Sequence, residues 1–402
     1  TGLNIHAPLE PMNATVEIKD GVYHIHAGNQ FQTLVMGLVP AALGIEPTQV
    51  VMHQKHLGGG FGRRLDADYI VMACLTAKEV GKPVKLIYSR EADTQFDYTR
   101  PAATVELTAC TTGTKIDAWK SSSASAWASA RQAPAFLAPD MSGDENKKFD
   151  PFAVNGADHW YTVANQRVTN TNNAIAQAAT PSGHLRAVSP TWQFWAVESF
   201  LDEVAHAVGV DPLEMRRSML DGAGKNAGDG ATAGGAKRLA AVLDMCAEKA
   251  GYGKDQPEGT AIGLASVSSQ ERGTATWTAT AAQVTVNKDT GEFTVDKLTV
   301  VSDVGTIINP KGVEAQVRGA TMWGYSMAVL EEADMQDGAI TVSNFDGYTP
   351  ARMHDMPEVD VHVIETGNYP VGAGEPATTS VAPAIANAIQ MAVGARVRTV
   401  PI

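Results

Sequence analysis

His56-Leu57-Gly58-Gly59-Gly60-Phe61-Gly62-Arg63-Arg64 sets four glycines around one phenylalanine, between an apolar run and a helical pattern. Glycine lacks Cβ and adopts φ > 0 freely, so repeated glycines mark backbone that turns sharply or approaches another group closely. Two readings stay open: a tight strand-to-helix turn, or a loop that holds a ligand. No Lys-Ser or Lys-Thr follows Gly62, and neither a dinucleotide fingerprint nor a ribose-binding acid has the required spacing, so this is not a phosphate loop of the usual kind. Arg63 and Arg64 add positive charge that suits an anionic cofactor or a solvated turn.

Upstream, residues 14–27 alternate apolar and polar on both sides of Asp20-Gly21, which predicts a hairpin. Thr33 to Leu43 then reads as a helix and Gln49 to Gln54 as a strand. Downstream, Asp66 to Val80 reads as a helix with Ile70, Val71, Cys74 and Leu75 on one face, closed by Gly81 and Pro83. The order helix, strand, glycine loop, helix puts the loop at a strand's carboxyl end, where ligands commonly sit in mixed α/β structure.

The hairpin grammar recurs at Thr112-Gly113 and at Asp289-Thr290-Gly291. Three hairpins separated by helical stretches predict an α+β chain with mixed sheets, packed helices and two related subdomains. Gly222 to Gly235, nearly all Gly, Ala and polar residues, is the expected linker, dividing the chain into 1–221, a link at 222–236, and 237–402. Ser121 to Asn155, rich in Ser, Ala, Pro and charge, reads as a long surface excursion. Thr191 to Val208 is the clearest helix, with Phe194, Val197, Leu201, Val204 and Val208 on one stripe; Glu198, Asp202 and Glu203 fall off it and read as a solvated face. Asp211-Pro212-Leu213-Glu214 starts the next helix with a cap.

The 402 residues, 44% hydrophobic and 19% charged, suffice for large cores. A formal charge of −13 argues against nucleic acid as a partner, so an anionic ligand needs a local pocket. Cys74, Cys110 and Cys246 are far apart and form no metal-ligand pattern, which leaves buried thiols as the default. No apolar run reaches the length of a membrane span. Two further polar residues stand out in loops. Arg186 in His184 to Pro190 is either an anion ligand or an ordinary turn charge. Glu375, set between Gly374 and Pro376 ahead of an apolar helix, is either a general base or a carboxylate without chemistry.

Taken together, these segments resemble the molybdenum-binding subunit of the xanthine oxidase and aldehyde oxidase family, above all its isoquinoline 1-oxidoreductase-like branch. The resemblance covers nearly the whole chain. It rests on His6-Ala7-Pro8-Leu9-Glu10-Pro11, Gly58 to Arg64, Leu185-Arg186 with the Glu198 to Asp202 helix, Asp303-Val304-Gly305 with Asn309-Pro310, Gln316 to Gly319, and Gly374-Glu375-Pro376 with Ala382 to Ala388. It implies the molybdopterin-binding fold of that family. It implies that Phe61 and Gly62 lie against the metal, backed by Gly59, Gly60 and Arg63, with Arg186 beside it and no direct protein ligand. By the same resemblance Gln30 hydrogen-bonds a metal oxo group, Gln316 and Gly374 contact the pterin, and Glu375 is the catalytic base.

The reaction so implied is oxidation of an aldehyde or N-heteroaromatic substrate with oxygen from water. The implied cofactor is a molybdenum-pterin in its cytosine dinucleotide form. Purine-oxidising members place an acid shortly after the glycine motif, where this chain has Leu65, so a purine is not expected. The family's further Gly-Gln-Gly stretch, which lies ahead of these segments in the isoquinoline-like branch, is absent here. The chain thus looks like the carboxyl-terminal part of a longer subunit, set apart by processing, splitting or truncation, and a companion chain should complete the pocket. With no cysteine pattern for clusters, electrons are expected to leave through a separate small two-cluster iron–sulfur subunit. Some members of the branch carry an export signal and pass electrons to cytochromes, which adds a cytochrome c subunit and the periplasm to the expectations. A scaffold chain that keeps the fold while another chain does the chemistry is the competing reading.

Overall fold

The structure, a computed structural model, describes residues 1–140, 142–144, 146–157, 159–220, 235–269 and 275–402. The first hairpin pairs β1 (Asn13–Lys19) with β2 (Val22–Ala27) across Asp20 and Gly21, both at positive φ, as a tight two-residue turn requires. Helix α1 (Gln32–Leu43) carries the chain over to β3 (Val50–Gln54), parallel to β2. After the glycine loop, α2 (Asp68–Val80) returns to β4 (Val84–Ile87), antiparallel to β1. The sheet order is β3-β2-β1-β4, and the apolar side chains of β1 and β2, Val16 and Ile25 among them, pack against Val35, Val39, Ile70 and Cys74 of the two helices. Leu75, expected on the buried face of α2, is exposed; Tyr69, Ala73 and Ala77 fill that face instead.

A three-stranded sheet follows, with β5 (Ala103–Thr112) antiparallel to β6 (Lys115–Ser125) and β6 parallel to β7 (Asn165–Asn172). The segment expected to run over the surface from Ser121 therefore begins as the end of a central strand. Ser121, Ser123 and Ser125 are buried there, and Ser123 accepts a hydrogen bond from Gln193 of α3 (Pro190–Val208) at 3.1 Å. Cys110 on β5 is exposed, whereas Cys74 and Cys246 are buried as expected.

Helix α3 begins on Pro190 and ends on Gly209 at φ 71. Its apolar stripe is buried as the pattern requires, but Glu198 and Asp202 are buried too. Arg216 of α4 (Pro212–Met219) donates to Glu198 at 3.0 Å and to Asp202 at 2.5 Å, and Tyr161 and the Ser266 amide donate to Glu198 at 2.8 and 2.9 Å. A buried carboxylate is tolerated only when its lone pairs are filled this way. Burial pushes both carboxyls up, opposed by the Arg216 charge. Asp211 caps α4 through the amides of Leu213 and Glu214.

Helix α5 (Gly235–Ala250) leads into β8 (Thr260–Ser269), β9 (Thr276–Val286) and β10 (Phe293–Asp303), an antiparallel run. Helix α6 (Pro310–Val329) then crosses to β11 (Glu358–Ile364), parallel to β10, and a loop leads to α7 (Val381–Val393). The sheet order is β8-β9-β10-β11. This repeats the first unit: a hairpin, a helical crossover to a parallel strand, a loop, and a helix. The fourth strand, antiparallel to the first strand of the hairpin, follows the unit in one case (β4) and precedes it in the other (β8).

Of the expected linker at 222–236, residues 222–234 lie outside the described residues, and Gly235 and Ala236 already belong to α5. One hydrophobic core draws on both sides of that segment, joining Trp119, Val197, Leu201 and Leu213 to Leu239, Leu243, Leu264 and Trp277. Among the described residues, no helix is long and apolar enough to cross a membrane.

Candidate active site

The loops after β3 and after β11 occupy equivalent places in the two repeats, and Arg186 bridges them. In the first, Phe61 sits at φ 56 and Gly62 at φ 114, a region that L side chains rarely adopt. A Cβ on Gly62 would lie 1.4 Å from the His184 carbonyl oxygen, and one on Gly60 would lie 2.4 Å from Oε1 of Gln30. The glycines are thus required by close approach of the protein to itself on one side of the loop. Gln30, in the turn between β2 and α1, accepts from the Gly62 amide at 3.1 Å through Oε1 and donates its own amide to the Arg64 carbonyl at 2.9 Å.

Arg63 and Arg64 do not project toward a ligand. Both are fully buried. Arg63 forms a two-pronged pair with Asp68 at 2.8 Å and an ion pair with Asp97 at 3.2 Å. Arg64 donates to the Glu10 carboxylate at 2.7 Å, to the Glu10 carbonyl at 2.9 Å and to the Gly59 carbonyl at 2.8 Å. Their charge, expected to suit an anion, is neutralised inside the protein, and any contact Arg63 makes with a ligand passes through its backbone. His6 adds a second brace, with Nδ1 3.0 Å from Asp97 and Nε2 3.0 Å from the His184 carbonyl.

Arg186 joins the two repeats. Its amide donates to the Phe61 carbonyl at 2.8 Å and its Nε to the Gly374 carbonyl at 2.6 Å. Burial pulls its guanidinium down to about 10, opposed by the Glu375 charge. Gln316 on α6 lies on the far side of Gly374, with Oε1 3.7 Å from where a Cβ there would stand. Glu375 follows directly, half-buried, its carboxylate without a hydrogen bond or ion pair among the described residues. Gln30, Gly59 to Gly62, Arg186, Gln316, Gly374 and Glu375 are thereby linked through a continuous chain of contacts around one spot.

Sequence reasoning passed over Trp323. Its ring meets Phe61 edge to face with centroids 4.7 Å apart, the Arg186 guanidinium lies 5.8 Å from it, and its Nε1 donates to Glu331 at 3.2 Å. Trp323 stands seven residues, two helical turns, beyond Gln316, so the shared face of α6 was the available signal.

The residues suit a pterin-held oxo-metal centre. Phe61 is 39% exposed at the tip of the loop. The amides of Gly59, Gly60 and Phe61, and Nε2 of Gln30, have no partner among the described residues, which leaves neutral donors on this loop and an unpaired carboxylate on the other. Such donors match oxygen atoms bound to a metal and the polar edge of a fused heterocycle. Among the described residues, no group of three or more His, Cys, Asp or Glu side chains is placed to hold a metal ion.

Comparison with known proteins bears on the family and the fold. Residues 1–132 and residues 228–357 each match a family described as a molybdopterin cofactor-binding domain. The chain is 43% identical over 402 residues to a membrane-bound aldehyde dehydrogenase [pyrroloquinoline-quinone] of Gluconacetobacter polyoxogenes, covering 99% of this chain and 52% of that protein. It is 28% identical to the isoquinoline 1-oxidoreductase subunit beta of Brevundimonas diminuta, covering 98% and 48%. The chain therefore spans about half the length of these curated relatives. Among solved structures, quinoline 2-oxidoreductase from Pseudomonas putida 86 superposes with a TM-score of 0.79 at 14% identity over 100% of this chain and 74% of that one. Aldehyde oxidoreductase from Desulfovibrio gigas gives 0.76 at 16% identity over 98% and 58%. At such identities the likeness establishes the fold alone. One cofactor-binding match takes in the glycine loop and the other Gln316, on the two sides of the spot that Arg186 bridges, and the chain belongs to the molybdenum-binding subunits of the xanthine oxidase and aldehyde oxidase family.

Proposed function

We propose that this chain forms the base-bearing part of a molybdenum hydroxylase that oxidises an aldehyde or an N-heteroaromatic compound with oxygen from water. The observation that carries the reading is the unpaired Glu375 carboxylate, held by the Arg186–Gly374 contact opposite the Phe61 loop. When bound, the molybdenum-pterin supplies the redox chemistry and the oxygen to be transferred. The chain's own residues do the rest. The Gln30 side-chain amide and the Gly59 to Phe61 amides would donate hydrogen bonds to the cofactor's oxygens, Gln316 and Gly374 would hold the pterin, and Phe61 with Trp323 would exclude water. Glu375 accepts the proton released as the new carbon–oxygen bond forms, and Arg186 fixes the turn from which it does so.

The finer assignments follow the same reading. The cofactor is the cytosine dinucleotide form, a companion chain closes the pocket, and electrons leave to iron–sulfur clusters of a small partner and onward to a cytochrome c subunit. The chain divides into subdomains 1–221 and 237–402, with 222–236 as the link in sequence between them. The name of the 43%-identical relative includes pyrroloquinoline quinone, which makes a quinone cofactor the second reading. The neutral donors and the two molybdopterin matches favour the first. Metal analysis and cofactor extraction from the purified complex separate them. Molybdenum and a pterin nucleotide are expected; a quinone with no molybdenum would replace this reading, and neither cofactor would leave a scaffold chain. In the molybdenum-loaded complex, Glu375→Gln should keep the metal content and lower kcat by about 100-fold or more, since the proton acceptor is lost. Turnover within a few-fold of wild type would remove Glu375 from the mechanism.

A further inference from the structure

Arg100 lies directly behind this site and takes part in no contact named so far. Its side chain is fully buried, yet no carboxylate approaches it within ion-pair distance among the described residues. Nη2 donates to the carbonyls of Leu185, at 3.2 Å, and of Arg186, and Nη1 lies 3.3 Å from the Met327 sulfur on α6. Nε has no partner. It borders a cavity of about 20 Å³ that Trp192 and Thr378 also line, and the side-chain donors of both of those residues are likewise unpartnered. That volume holds about one water, and the lining gives it donors to accept from.

A buried cation without a counter-ion is costly. A planar fork that reaches two successive carbonyls is the geometric reason for an arginine here. Glu331, at the end of α6, is engaged by Ser326, Trp323 and Tyr348 instead.

We propose that Arg100 is a positioning residue for Glu375: its fork holds the Leu185 and Arg186 carbonyls so that Arg186 meets Gly374. This rests on the role proposed above for Glu375. Arg100→Gln removes the charge and most of the fork. Arg100→Lys keeps the charge but places one ammonium where a planar fork reached two carbonyls.

The test uses the molybdenum-loaded complex, with metal content, kcat and KM measured for both variants and an aldehyde as the probe substrate. Molybdenum content should stay at the wild-type level in both. In Arg100→Gln, kcat should fall at least about tenfold while KM changes less than about threefold, as expected of a residue that aims the base rather than binds substrate. In Arg100→Lys, kcat should fall as well, because one ammonium does not span both carbonyls. Wild-type kcat in either variant, or a KM that rises as far as kcat falls, would overturn the proposal. Should Arg100→Gln lose its metal, the Lys variant decides alone by the same kcat and KM readout. Absence of molybdenum from the wild-type complex would instead remove the function proposed above.

Discussion

Gly62→Ala should damage this protein more than any other single methyl group added to the loop. The new Cβ would stand 1.4 Å from the His184 carbonyl oxygen, where 3.0 Å is the closest that real Cβ atoms come, so the two segments must part by about 1.6 Å. The backbone must also keep φ near +114, or abandon it and re-aim Phe61. Separation breaks the His6 to His184 contact and the Arg186 to Phe61 bond, 3.0 and 2.8 Å long. Strain of about 1–3 kcal/mol and two hydrogen bonds at about 1 kcal/mol each give a loss of roughly 3–5 kcal/mol. A shift of about 1 Å in a reacting group costs on the order of 100-fold in rate, so surviving protein should be nearly inactive. Urea unfolding, molybdenum content and kcat measured on the same preparation test this. Gly37→Ala is the control, because Gly37 lies exposed within α1 with no atom near its Cβ direction; it should gain about 0.5–1 kcal/mol and keep full activity. If Gly62→Ala unfolded at the wild-type midpoint and turned over normally, the close-approach account of the loop would be refuted.

Arg216→Met should cost about 3–5 kcal/mol, since it strands Glu198 and Asp202 in the core without a cation, and the urea midpoint should recover in part when both carboxylates are made amides. The buried rings of His159 and His184 are held down to about 4, chiefly by desolvation. Unfolded, each takes up its proton near pH 6.5, so their contribution is complete above that value and is lost as the pH falls toward 4. At pH 5 each should have withdrawn roughly 2 kcal/mol. His159→Gln should therefore flatten the drop in urea midpoint between pH 7 and pH 5 by about half, and an unchanged slope would show that the ring does not titrate this way.

Much of the fold was legible because local signals were unambiguous. Asp20-Gly21, Thr112-Gly113 and Asp289 to Gly291 each mark a hairpin, and α3 and α4 carry their own caps. What failed was tertiary. Glu198 and Asp202 look solvated because nothing within α3 reveals that Arg216 will fold back between them. Ser121, Ser123 and Ser125 carry no apolar side chains, yet they are buried at the end of a central strand. Within the site, Glu375 stood out from its turn and Gln30, Arg186 and Gln316 from the family's pattern. Trp323 and Arg100 gave no such mark, since each acts through neighbours that only the folded chain supplies.

The repeated unit has a consequence for assembly. Each repeat contributes one loop at the end of its crossover strand, and neither loop alone presents both the neutral donors and the carboxylate. The spot between them exists only when the repeats are docked through Arg186. A ligand that bridges both loops binds the docked form alone, so it must tighten docking by the free energy of its own binding. A chain whose two loops are misaligned would therefore hold such a ligand less tightly, and retained ligand would report that the loops are in register.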